Sequence, residues 1–193
     1  VVDLSESGEE EMLTVSHLTG VTPRSEKTVY MFEAETNEGY KRVRPGDLVI
    51  NTLWAWMGAL GVAHQAGIVS PAYGIYRITD PNATPAYFDA LFRSAAYVSE
   101  MTRYSKGVWS SRLRLYPESF LALRSPFPQP EVQRSIAVHV SGIARNAEAM
   151  RQPLKSSIAL LQERKRSLIT AAVTGEFDVS SASPRAADAV VSG

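Results

Sequence analysis

The chain has 193 residues with 20 Lys and Arg against 20 Asp and Glu, so no global basic character marks it as a binder of nucleic acid or of acidic surfaces. It is 45% hydrophobic and 21% charged, as expected of one globular domain with an appendage or of two small domains. Cysteine is absent, which excludes a disulfide framework and suits a reducing cytoplasmic setting, and the longest apolar run, residues 53–63, holds two glycines and is too short to span a bilayer.

Residues 1–12 are polar, and Asp3, Glu6, Glu9, Glu10 and Glu11 all precede the first basic residue, Arg24. Val1 in place of a methionine reads as a piece of a longer or processed protein. Residues 13–18 form a candidate strand, 29–32 a short apolar stretch among turn residues, and 40–43 a further strand. Pro45-Gly46-Asp47 is a turn, because proline presets φ and glycine tolerates positive φ, and residues 48–50 follow as a buried strand. Trp54 and Trp56, two apart, would share one side of an extended segment and are expected in the core. Strands are expected at 68–70 and 72–78, around Pro71.

Thr84-Pro85 offers an N-cap oxygen and then proline at the first helical position. Phe88, Leu91, Phe92 and Ala95 give the stripe of a half-buried helix that fades before Tyr104. Short strands are expected at 113–116 and 120–123. The run SPFPQP, residues 125–130, continues neither a ladder nor a helix and reads as a rigid linker.

Beyond it, Pro130 and Glu131 open a short helix with Val132, Ile136 and Val140 inward, and Ser141-Gly142 is a plausible break. A long helix then runs over 143–174, with Pro153 expected to kink it. Leu154, Leu161 and Leu168 recur once per heptad with Ile158 and Ile169 beside them, while Arg164, Lys165 and Arg166 fall largely off that stripe. One amphipathic helix cannot bury its own stripe, so this one needs a partner helix from this chain or from another copy. From Ser180 the residues are small and polar, as in a disordered tail. The class expected is therefore α+β: a mixed globular domain over 1–129, a helical arm over 130–179 forming an antiparallel coiled-coil-like pair, and a tail over 180–193.

Catalytic signatures are missing. His17, His64 and His139 are widely separated, no H-E-x-x-H occurs, and no phosphate-binding glycine loop or nucleophile elbow is present. What remains is recognition. From Arg93 to Arg124 the basic residues Arg93, Arg103, Lys106, Arg112, Arg114 and Arg124 are opposed only by Glu100 and Glu118. Within that stretch Arg103, Tyr104, Lys106, Trp109, Ser110, Ser111 and Arg112 supply phosphate and base donors with aromatics, on a loop that Gly107 would keep mobile. A merely solvated surface is the plain alternative.

Two stretches carry a resemblance. SIALLQERKRSLITAAVTGEFDV, residues 157–179, resembles the end of the repeated helix in specificity (S) subunits of type I restriction–modification enzymes. Ile158, Leu160, Leu161, Glu163, Arg164, Leu168, Ile169, Ala172, Val173, Thr174, Gly175 and Asp178 fit, with Gly175 as the helix C-cap. GDLVINTLWAWMGALGV and GIVSPAYGIYR, residues 46–62 and 67–77, look like the target-recognition domain of the same subunits. The resemblance implies a non-catalytic reader of double-stranded DNA that directs methyltransferase (M) and restriction (R) subunits to a bipartite target. It implies no cofactor in this chain, since S-adenosylmethionine, ATP and Mg would belong to the partner subunits. A complete S subunit of this kind has two recognition domains and two long helices, whereas this sequence has one of each. It would be half of a longer subunit, or a half-subunit that forms a homodimer through Leu154, Ile158, Leu161, Leu168 and Ile169. The rival is a helical-arm adaptor that assembles proteins without reading DNA.

Overall fold

A computed structural model of the chain describes residues 3–26, 36–109 and 112–176. The apolar stretch at 29–32 and the tail from Ser180 lie outside the described residues. The chain divides into two compact units, Val1–Val140 and Ser141–Gly193.

Among its described residues the first unit carries seven short strands: β1 (Leu13–Ser16), β2 (Gly20–Pro23), β3 (Lys41–Val43), β4 (Leu48–Asn51), β5 (Leu60–Val62), β6 (Gly67–Val69) and β7 (Tyr73–Tyr76). β1 and β2 form a hairpin with Leu13 opposite Pro23, β3 pairs with β6, and β4 lies between β5 and β7, all antiparallel. Successive side chains of a strand point to opposite faces, and β4 uses both. Leu48 and Ile50 join Leu60, Val62, Phe88, Phe92, Met101, Leu115 and Phe120 in one core. Val49 joins Leu13, Val15, Val21, Val43 and Val69 in a second. The run Leu48-Val49-Ile50 is continuously apolar because neither face meets water.

The turn before β4 is held by charge. The carboxylate of Asp47 is buried, yet it accepts from the Arg44 backbone N–H at 2.9 Å and from two guanidinium nitrogens of Arg77 at 2.9 and 3.0 Å. That fork-to-carboxylate pairing makes the buried charge tolerable. The N-terminal segment is braced in a similar way. Glu10 accepts from the Ser5 hydroxyl and from Arg42, which hold its carboxyl at about 2, well below its ordinary value.

Among the described residues four α-helices follow: α1 (Pro85–Phe92), α2 (Ala95–Tyr104), α3 (Pro117–Leu121) and α4 (Pro130–Val173). The single helix expected to fade before Tyr104 is two, because Ser94 turns extended and its hydroxyl caps α2 by accepting from the Tyr97 N–H. The strand expected at 120–123 is instead covered by α3, opened by Pro117, whose Phe120 packs on Tyr76 and Phe92. Residues 113–116 form no strand beyond an isolated bridge between Arg114 and Lys106. Ser141-Gly142 does not break the arm, and α4 runs through both it and Pro153.

Val132, Ile136 and Val140 are not inward but exposed, and the residue that α4 buries in its first turn is Gln133. Its Oε1 accepts from the Thr84 N–H at 2.8 Å, and its Nε2 donates to the carbonyls of Pro128 and Asn82 at 2.8 and 3.2 Å. The proline-rich linker is pinned at every second carbonyl. Arg124 O accepts from the Tyr97 hydroxyl, Pro126 O from the Tyr87 hydroxyl, and Pro128 O from Gln133. That period of two is the signature of extended chain, which prolines enforce.

The second unit holds the remainder of α4. Leu154, Ile158, Leu161, Leu168 and Ile169 are all about half exposed or more, as are Ile143 and Met150. The helix ends as expected: Thr174 N–H still reaches the Thr170 carbonyl, and Gly175 adopts φ +78°, the left-handed conformation of a C-cap. No helix among the described residues is long and apolar enough to cross a membrane.

Candidate nucleic-acid interface

The described residues of the basic stretch are tied to one another through the backbone. Lys106 and Arg114 exchange both backbone hydrogen bonds at 2.9 Å, and the Arg112 N–H donates to the Trp109 carbonyl at 2.8 Å. Gly107 permits this closure by close approach: a Cβ there would lie 2.6 Å from the Arg112 carbonyl oxygen. Val108, Trp109 and Arg112 are exposed, while Ser110 and Ser111 lie outside the described residues.

Arg103 and Tyr104 belong to the last turn of α2. The Arg103 guanidinium bonds Glu100 at 2.7 Å, which raises its pKa, and it stacks 5.1 Å from the Tyr104 ring centroid. Lys106 Nζ and the Arg114 guanidinium carbon sit 6.0 and 5.9 Å from the ring centroid of exposed Tyr116. Among the described residues, Lys106, Arg112 and Arg114 form no ion pair with a carboxylate, Glu118 included. Arg103 also lines a cleft of about 350 Å³ with Tyr97, Tyr104, Leu123 and Arg124.

A second loop adjoins the first. The Leu115 N–H donates to the Thr52 carbonyl at 3.0 Å, and the Thr102 hydroxyl donates to the Trp56 carbonyl at 3.2 Å. Residues 52–58 form not an extended segment but a tight turn with a short 3-10 helix, Ala55–Met57, closed by Gly58 at φ +83°. Trp54 and Trp56 stack at 6.5 Å with their planes 17° apart. Neither is core: Trp54 is 51% exposed and Trp56 only partly buried, because the turn buries Ala55 instead. An apolar pair two residues apart was the available signal, but it is equally compatible with a buried strand. Among the described residues no cluster of three or more possible metal ligands occurs.

No family model matches this chain, and no curated protein does. Among solved structures it is similar to the HsdS subunit from Thermoanaerobacter tengcongensis, with a TM-score of 0.56 and 16% identity over 95% of this chain and 48% of that chain. At that identity the likeness is one of fold, and the chain spans about half the length of that subunit.

Proposed function

We propose that this chain reads DNA sequence for a type I restriction–modification system, as one recognition domain and one long helix of an S subunit. The fold likeness to an HsdS subunit over 95% of the chain carries the reading, and the S-subunit wording of residues 46–77 and 157–179 supports it independently. The cations Lys106, Arg112 and Arg114 would face double-stranded DNA, with phosphate contacts giving affinity and base contacts giving specificity. The exposed stripe of Leu154, Ile158, Leu161, Leu168 and Ile169 would pair antiparallel with a second long helix. That helix would come from another copy or from the other half of a longer subunit, setting the distance between half-sites. Methyltransferase subunits bringing S-adenosylmethionine would dock on the helices, and ATP and Mg would serve the restriction subunit.

The test is to sequence genomic methylation in cells carrying this chain with its methyltransferase partner. A new bipartite methylated motif is expected. Unchanged methylation in cells where the two proteins co-purify would favour the rival, an adaptor that assembles subunits through the exposed helix without reading DNA.

A further inference from the structure

We propose that the turn Leu53-Trp54 is an apolar probe that stacks on DNA bases, beside the cations Lys106, Arg112 and Arg114; the inference rests on the DNA-reading function above. The observation behind it is an exposed apolar tip on a hydrogen-bonded turn. Leu53 and Trp54 are 44% and 51% exposed, yet the turn beneath them is held by several hydrogen bonds. Asn51 accepts from the Leu53 N–H through its side chain and from the Trp54 N–H through its carbonyl. The Trp54 carbonyl accepts from both the Met57 and Ala59 N–H groups, and the Trp56 indole N–H donates to the Leu53 carbonyl at 3.0 Å. Gly58 supplies the left-handed residue, where a Cβ would meet Val98 of α2 at 3.1 Å. The Trp54 ring is thus held in place by the Trp56 ring behind it without burying its own outer surface.

Charge complementarity selects the occupant. The Leu115–Thr52 and Thr102–Trp56 hydrogen bonds join this turn to the segment bearing Lys106, Arg112 and Arg114, with Tyr104, Trp109 and Tyr116 interleaved. Aromatic faces set among unpaired cations match a polyanion with π-surfaces: bases stack on the rings while phosphates take the cations. An apolar side chain presented from a rigid turn is also the means by which proteins partly unstack a base step.

The experiment uses the full chain and a mixed-sequence 30-bp duplex at low salt. Three tryptophans report, at 54, 56 and 109. Duplex addition should quench their emission, and Trp54→Phe should remove much of that quench while keeping affinity. Trp54→Ala should weaken binding roughly tenfold with the salt slope unchanged, since an apolar contact releases no counterion. Leu53→Glu, exposed and therefore safe for folding, should weaken binding as well. Wild-type binding with the same affinity and quench in all three variants overturns the probe while leaving the DNA-reading function standing. A Trp54→Ala variant that binds duplex normally but no longer captures the methyltransferase subunit makes the turn a protein-docking site and overturns the probe too. No duplex binding by the wild type removes the DNA-reading function and this inference together.

Discussion

Lys106 and Arg112 separate two roles that the same charge can play. Lys106 holds its place through backbone hydrogen bonds to Arg114, so Lys106→Ala leaves the loop closed and removes only the ammonium. Loss of a phosphate contact should weaken binding to all duplexes alike and lower the salt slope by about one unit. Arg112→Ala should instead relax discrimination at one base position by about 1–3 kcal/mol. Salt titrations with cognate and scrambled duplexes distinguish the two, and unchanged slope and specificity in both variants would move the DNA surface off this loop. A different residue gives a pH signature. Because Ser5 and Arg42 depress the Glu10 carboxyl to about 2, its contribution to stability is complete above its ordinary value of 4.5 and is lost as pH falls toward 2. Glu10→Gln should therefore be less stable than the wild type near pH 6. The gap between their denaturation curves should shrink steadily from pH 4.5 to pH 2, and a gap that stays constant over that range would contradict the linkage.

At the scale of elements, the arm is where pattern and structure agree best. Leucines once per heptad predict one face of a helix, and α4 presents Leu154, Leu161 and Leu168 on an exposed surface. A leucine moved from water into an interface contributes roughly 1.5–3 kcal/mol. Leu161→Asp with Leu168→Asp should then abolish self-association in sedimentation, and a wild type that sediments as a monomer would remove the homodimer for this chain. β4 was legible too, since an apolar triplet after Pro-Gly-Asp leaves few alternatives. Other elements were not. Residues 120–123 are apolar enough for a strand, but Pro117 presets a helical φ and α3 forms in their place. Gly142 costs a helix only about 1 kcal/mol relative to alanine, which its long flanks outweigh. The approach of Gly107 to the Arg112 carbonyl turns on the space that a glycine leaves, and spacing along a sequence does not encode it.

For the whole molecule, the division of labour depends on where the chain is cut. Pro130 opens α4, and the linker before it looks like the natural boundary. Yet Gln133, one turn into the helix, is fully buried and ties together Thr84, Asn82 and Pro128. A chain ending at Gln129 loses that side chain and the three hydrogen bonds it makes to Thr84, Asn82 and Pro128. A chain ending at Val140 keeps the first compact unit whole. The shorter version should therefore melt at lower temperature than the longer one, and Gln133→Leu in the full chain should reproduce much of the loss. The version ending at Val140 should retain duplex binding and lose methyltransferase capture, because it lacks the Leu154–Ile169 stripe. Co-purification of the methyltransferase subunit with the version ending at Val140 would place the docking surface on the first unit and return the stripe to self-association alone.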